Sequence, residues 1–425
     1  MADTIFALSS GSPPAAIAVV RMSGAEAGAA LAALAGDLPK PRRASYRTLR
    51  VPRGTVLDQA LVLWFPGPGT ATGEDLAELH LHGGRAVVAA VEAALAELPG
   101  LRRAAPGEFT RRAFANGRID LAEAEGLADL LSAETELQRR AAMAMAGGAL
   151  SQQVAHWRER VLTATAAVEA VLDFGDEDDV SELPGDFVGR LLALADELAD
   201  WLSRPRAEAL REGFRVVLAG PPNAGKSTLF NALVEDEAAI TAPVPGTTRD
   251  VLTRSVAIAG APFVFADTAG LRDESEDEIE LIGVARARAA LGRADLVLWL
   301  GSEGEGPADA WEIAAQCDRV EGPQKVRARH RVSAVTGVGL NGLRRDLVMT
   351  ASCAMPKPGD AALNQRQHAL LAQAETALRA ATRENDPLLV AEALRVARVA
   401  FDTLTGRATT EDMLDALFGR FCIGK

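Results

Sequence analysis

The chain is 425 residues long, with 48% hydrophobic, 24% charged and only 4% aromatic residues. That length suits two to four domains with proper cores, and the balance is that of a soluble globular protein. The formal net charge of −13 excludes a molecule-wide electrostatic grip on nucleic acid, so any such contact needs a local basic patch or a partner's surface.

From Thr4 to about Asn116, short apolar runs (TIFALS, AAIAVVRMSG, DQALVLWF, AELHLHGG) alternate with Gly and Pro. They predict strands, interrupted by one helix over Arg85 to Leu98, and so an α+β domain over 1–117. The basic stretch Pro39 to Arg53 reads as a solvated loop ahead of an RNA contact. His80 and His82 share one strand face, but two ligands alone do not make a metal site. Over 118–212 apolar residues recur at three- and four-residue spacing, as in amphipathic helices. The acidic run Asp173 to Asp186 interrupts them as a solvated loop rather than a metal site. Strand, glycine loop, helix and strand follow over 213–350, the rhythm of a doubly wound α/β domain. PKPGD then marks a linker, and helical periodicity returns over 351–425, where ATTED supplies a hydroxyl cap and first-turn acids for the last helix. The order helical, α/β, helical suggests an α/β domain inserted into a helical one.

RVVLAGPPNAGKSTLFNALV, Arg215 to Val234, is the strongest signal. A β-branched run leads into Gly220-Pro221-Pro222-Asn223-Ala224-Gly225-Lys226-Ser227, then Thr228 and a helix. This matches G-x-x-x-x-G-K-[ST] in its required context. Glycines let backbone N–H groups turn inward around phosphate oxygens, and the helix N-terminus adds its positive end. Lys226 is expected to reach the β and γ phosphates and Ser227 to ligate Mg²⁺. Downstream, FVFADTAGLR puts Asp267 at the end of an apolar strand, followed by Thr268, Ala269 and Gly270. The acid can hold the magnesium shell through water, and the Gly270 N–H can report the γ phosphate. Between them Gly246-Thr247-Thr248-Arg249-Asp250 offers Thr248 as a switch threonine that ligates Mg²⁺ only beside a γ phosphate. Phosphate loop, switch threonine and DTAG in this order indicate a GTPase rather than a generic ATPase.

Two departures stand out. After DTAG comes Leu271, where a Ras-like enzyme has its water-orienting glutamine. A leucine cannot polarise water, so a carboxylate from the acidic run Arg272 to Glu280 is the candidate, and Arg249 stays open as an arginine finger. After the strand Asp295 to Ser302, the base-reading motif N-K-x-D is expected. The nearest match, Ala315-Gln316-Cys317-Asp318, keeps only the aspartate, while Ser333-Ala334-Val335 resembles the S-A-K loop that also touches guanine.

The chain ends FCIGK, with Cys422 one of three cysteines. Ile-Gly-Lys fails as a prenylation signal. An odd, widely spaced set argues against disulfides and fits a reducing cytosol. Gly424 and the basic Arg420 and Lys425 do not describe a core, and nearby cations favour thiolate, which points to a site. No stretch approaches the roughly eighteen apolar residues of a membrane helix, and the N-terminus lacks a signal-peptide pattern. A cytoplasmic protein is expected.

GPPNAGKS, PGTTRD, DTAGLR, a helical domain split by an α/β domain, and the terminal FCIGK together resemble the MnmE (TrmE) family of bacterial tRNA-modification GTPases. AVVRMSG, VLDQALVLWFPGP, TGEDLAELHLHGG and APGEFTRRAFANGRIDLAEAEG extend the resemblance over nearly the whole chain. It implies an N-terminal α+β tetrahydrofolate-binding and dimerisation domain, an all-α domain and an inserted Ras-like P-loop domain. It also implies a homodimer that works with an FAD-dependent MnmG subunit. Together they would add aminomethyl or carboxymethylaminomethyl groups to the wobble uridine of certain tRNAs, using a 5-formyl or 5,10-methylene folate.

The resemblance further implies K⁺ where an arginine finger would sit, neutralising transition-state charge. Asn223 matches its phosphate-loop ligand, and Ala242, Val244 and Thr247 match its carbonyl ligands. The same loop, with Pro243, Pro245 and Gly246, borders the nucleotide. Glu280 matches the water-positioning glutamate, with Glu278 as the alternative. For folate, Arg21, Glu78, Arg118 and Lys425 match, a carboxylate for the pterin edge and cations for the glutamate tail. Read without the resemblance, Arg21 and Glu78 are a strand-end salt bridge and Arg118 a helix-start charge. Against the family's N-K-x-D, the sequence AQCD is expected to remove a support for the base-reading loop. Cys422 would lie at the folate near the dimer interface. The competing reading is a GTP-dependent assembly or ribosome-maturation switch, which has no need of a terminal thiol.

Overall fold

A computed structural model describes residues 3–51, 54–174, 183–234, 238–239, 252–267, 291–319, 325–408, 410–419 and 421–424. The chain folds as two compact units, Met1–Ala128 with Asp402–Lys425, and Asp129–Phe401.

In the first unit, strands β1 (Thr4–Leu8), β2 (Ile17–Ser23), β3 (Ser45–Arg50), β4 (Val56–Phe65), β5 (Leu76–His82) and β6 (Leu101–Arg103) form one sheet in the order β3-β4-β5-β2-β1-β6. Helices α1 (Ala27–Ala35) and α2 (Arg85–Ala96) cover one face, packing Leu31, Leu34, Val91 and Leu95 on Val20, Met22, Val62 and Leu79. Alternate residues point the other way. On that second face Arg21 lies opposite Glu78, and His80 opposite both Val19 and Leu61. Helix α3 (Glu108–Ala115) sets Phe109 against Ile5 and Ala7 at the β1 edge. Only α2 was expected of these three helices. AGAALAALA in α1 lacks a polar stripe, so its sequence carries no helical contrast.

Helix α4 (Leu121–Ser132) leads into the second unit, followed by α5 (Glu136–Ala146), α6 (Ala149–Phe174), α7 (Phe187–Ser203) and α8 (Ala207–Glu212). Thr135 and Gln138 close a capping box on α5, satisfying helix-end N–H groups that otherwise lack partners.

The second sheet begins with β7 (Phe214–Ala219), followed by α9 (Lys226–Val234), β8 (Ala238–Ala239), β9 (Leu252–Ile258), β10 (Ala261–Asp267), β11 (Leu296–Trp299), β12 (Trp311–Ala314), β13 (His330–Arg331) and α10 (Leu340–Ala354). Among the described residues its order is β13-β12-β11-β7-β10-β9-β8. Central β7 runs parallel to β10 and β11, while β9 returns antiparallel to β10. Buried on both faces, β7 and β10 read as continuous apolar runs.

After the sheet come α11 (Gln365–Ala381), α12 (Pro387–Thr405) and α13 (Glu411–Phe418). Trp157 in α6 packs edge-on to Trp201 of α7, with 5.3 Å between centroids, and stacks on Phe401 of α12 at 6.0 Å. The helices before and after the second sheet therefore share a core. In the first unit α13 packs Leu414 and Phe418 against Leu121 and Ala124. Its expected hydroxyl cap is not made, because Thr410 occupies the N-cap without a side-chain hydrogen bond. The first-turn acids Glu411 and Asp412 remain to favour the helix start.

Candidate functional site

The strand-to-helix turn between β7 and α9 builds the phosphate loop. Lys226 opens α9 and is buried, its Nζ donating to the carbonyls of Gly220 and Pro221 at 2.9 and 2.8 Å. Those bonds fold the ammonium back across the loop. Asn223 stands at the loop's crest with φ of +62°, a left-handed conformation that asparagine tolerates better than most residues. Ala224 and Gly225 complete the turn, and Ser227 and Thr228 lie in the first turn of α9, with the helix dipole's positive end at the loop.

Asp267 ends β10 beside Leu218 of β7 and is only 1% exposed. Ser227 Oγ donates to its Oδ2 at 2.6 Å. A hydroxyl and a carboxylate at this spacing are hard oxygen donors of the kind that would hold Mg²⁺. No group of three or more His, Cys, Asp and Glu is gathered elsewhere among the described residues to hold a metal by itself.

The loop that carries the candidate base-reading motif follows β12. Asp318 is exposed, and a hydrogen bond from Ser333 holds its carboxyl below the usual aspartate range. Ser333 is fully buried. Ala334 and Val335 follow on the same turn, with Val335 80% exposed. The Cys317 N–H donates to Val332, stitching the two loops together. The expected loss of support does not occur in the form anticipated. Gln316 reaches the phosphate loop, its Nε2 donating to the Asn223 carbonyl at 3.4 Å, and Arg319 donates to its Oε1 at 3.1 Å. Sequence reasoning missed both residues, because AQCD was legible only as what it lacks.

In the first unit Arg21 and Glu78 face each other across β2 and β5, with guanidinium nitrogens donating to Glu78 Oε1 at 2.8 and 3.0 Å. Burial pushes the Glu78 carboxyl up, but the Arg21 charge and the hydrogen bonds from Arg21 and His80 outweigh it and hold the pKa below the glutamate norm. Arg21 thus makes the salt bridge its residue type suggests, and it also lies over the Phe109 ring. Such a pair presents a carboxylate and a cation to a ligand on the same sheet face. His82 bonds Asp58 instead. Arg118 is exposed on the loop between α3 and α4, its stem beside Gly73.

The tail is held without regular structure. Phe421 joins the α13 cluster, and the Gly107 N–H donates to the Cys422 carbonyl at 3.5 Å. Gly424 is buried at φ of +96°, with its Cα against the Leu8 carbonyl, where a Cβ would collide with backbone. Leu8 and Ala7 pair with Val20 and Arg21. The tail therefore docks one strand from the Arg21–Glu78 pair, leaving Cys422 exposed. Ala242, Pro243, Val244, Pro245, Gly246, Thr247, Thr248, Thr268, Ala269, Gly270, Glu280 and Lys425 lie outside the described residues.

Comparison with known proteins matches residues 121–422 to the MnmE helical domain and residues 4–118 to the GTP-binding protein TrmE N-terminus. The chain is 65% identical to the tRNA modification GTPase MnmE of Novosphingobium aromaticivorans, over 100% of both chains. It is 64% identical to that of Erythrobacter litoralis, again over 100% of both, and 58% identical to that of Rhizorhabdus wittichii, over 100% of this chain and 97% of the relative. The chain belongs to the MnmE family. An MnmE-family chain thus combines an N-terminal α+β domain, an all-α helical domain and an inserted α/β P-loop domain. In MnmE terms, Gln316 stands where the family's guanine motif would put lysine.

Proposed function

We propose that this protein is a K⁺-activated GTP hydrolase of tRNA modification. It would act as a homodimer with an FAD-dependent MnmG subunit, in the cytoplasm, on the C5 position of the wobble uridine. A tetrahydrofolate derivative would supply the one-carbon unit. The observation that carries this reading is the Lys226–Ser227–Asp267 arrangement at the carboxyl end of β7 and β10, with Lys226 and Asp267 buried, in a chain that matches its relatives from end to end.

Each residue then has a task. Lys226 exchanges its carbonyl partners for β and γ phosphate oxygens, and Ser227 with Asp267 orients Mg²⁺. When bound, Mg²⁺ and K⁺ would supply charge neutralisation for phosphoryl transfer. Asn223 and the backbone of Ala242, Val244 and Thr247 are the proposed K⁺ ligands, Thr248 the second Mg²⁺ ligand, and Glu280 the group that orients water. Asp318 accepts hydrogen bonds from the guanine edge, backed by Ser333, Ala334 and Val335. In the other unit Glu78 binds the pterin edge, and Arg21, Arg118 and Lys425 take the folate carboxylates. The exposed thiol of Cys422 would act beside them.

Hydrolysis should be strongly faster in KCl than in NaCl at equal ionic strength, and equal rates would remove K⁺ from the scheme. Nucleoside analysis of tRNA from cells lacking this protein should show unmodified wobble uridine; normal modification there would refute the functional assignment.

A further inference from the structure

We propose that Gln316 is a positioning residue that fastens the base-reading loop to the phosphate loop, so that Asp318 reads guanine in a fixed register with Asn223. The inference rests on Asp318 reading the base. Three features place the latch. Gln316 Nε2 donates to the Asn223 carbonyl. A Cβ on Gly225 would come 3.0 Å from the same nitrogen, so the amide lies directly across the phosphate loop, where glycine leaves it room. Arg319 Nη1 donates to Gln316 Oε1. A guanidinium has donors only, so this bond fixes which end of the amide is oxygen and turns the NH₂ toward Asn223.

The backbone supports the same view. Gln316 has φ of +59° and Asn223 +62°, conformations that L side chains adopt rarely and keep when surrounding contacts hold them. On its far side the loop is tied to the next one by the Cys317 N–H donating to the Val332 carbonyl at 3.2 Å. Asp318 is thus set between two anchors, one of them the loop that binds phosphate. A neutral amide reaching a carbonyl does here what an ammonium could do, with the orientation supplied by Arg319.

The test uses the full chain and fluorescent methylanthraniloyl derivatives of GDP, IDP and xanthosine diphosphate. IDP lacks the 2-amino group that a carboxylate at Asp318 would bind. Asp318→Asn should move preference toward the xanthosine nucleotide; if it does not, the base-reading premise fails whatever Gln316 does. Gln316→Ala should reduce the preference for GDP over IDP by about three- to tenfold. Gln316→Lys, which keeps a donor within reach of the carbonyl, should restore it to within about twofold. Arg319→Ala, which frees the amide to flip, should lower it by about twofold and serves if Gln316→Ala folds poorly. An Asp318→Asn switch combined with an unchanged GDP-to-IDP ratio in Gln316→Ala and Arg319→Ala overturns the latch. So does a fall in Gln316→Ala that Gln316→Lys fails to reverse.

Discussion

The phosphate loop and the C-terminal tail are the two most motif-like stretches of this chain, and they are held in place by opposite routes. The phosphate loop carries its own architecture. β7 delivers it, α9 leaves it, and its working groups come from residues 220–228, with Asp267 the main long-range addition. The tail has no regular structure of its own. It is positioned by Gly107 and Leu8, from the far end of the sequence, through close backbone approaches that glycine alone accommodates. A contiguous motif tolerates much change around it, whereas a docked tail depends on residues that share no spacing with it.

The sharpest way to test that contrast is to disable each side and read both activities. Lys226→Ala removes the buried cation at the phosphates and should cut kcat/KM for GTP by at least about a hundredfold. Retained hydrolysis would break the assignment of the loop. Cys422→Ser should leave hydrolysis within about twofold, because the thiol lies in the other compact unit, while tRNA modification is lost. If hydrolysis fell and modification survived, the separation of roles would be wrong.

Gly424→Ala probes the docking rather than the chemistry. A methyl group would meet the Leu8 carbonyl at an unfavourable φ, so the tail should detach without unfolding the unit. Modification should fall about tenfold while the melting temperature moves by less than about 3 °C. Full activity in this variant would show that the close approach is dispensable.

The smallest effect concerns the Arg21–Glu78 pair. The Glu78 pKa is lowered in the fold, so its contribution to stability is complete above the ordinary glutamate pKa and is lost as pH falls through the folded value. Unfolding followed by denaturant should show no contribution from this pair to any change between pH 7 and pH 5, and a decline below about pH 4.5. Glu78→Gln should flatten that decline and lower stability at neutral pH by about 1–2 kcal/mol. A wild-type decline identical to that of Glu78→Gln would mean that the carboxylate is not stabilised by its partner.

Much of this molecule is legible in its sequence. The strand, loop and helix around Lys226 follow from an apolar β-branched run, glycines and a polar helix start within about twenty residues, and each of those signals is local. The order of helical and α/β stretches anticipated helices on both sides of the second sheet. The all-small helix α1 was not legible, since a helix without polar contrast has no period to detect. The last helix has its first-turn acids but not the expected hydroxyl bond, because capping depends on side-chain rotamer as well as residue type.

The sequence by itself determined the family, the strands β1, β2, β4, β5, β7, β10 and β11 and the phosphate-loop motif, since those rest on residue types and short spacings. It misleads over the basic stretch 39–53, which reads as a solvated loop, whereas β3 (Ser45–Arg50) pairs there with β4 and buries Leu49. Tertiary structure alone decided how AQCD keeps its footing. Gln316 and Asn223 are 93 residues apart, and a donor–acceptor contact at that separation leaves no period, cap or motif in the chain. The same reason hides the dock of Gly424 on Leu8, where the fit lies in an approach distance between backbones rather than in the side chains that a sequence spells out.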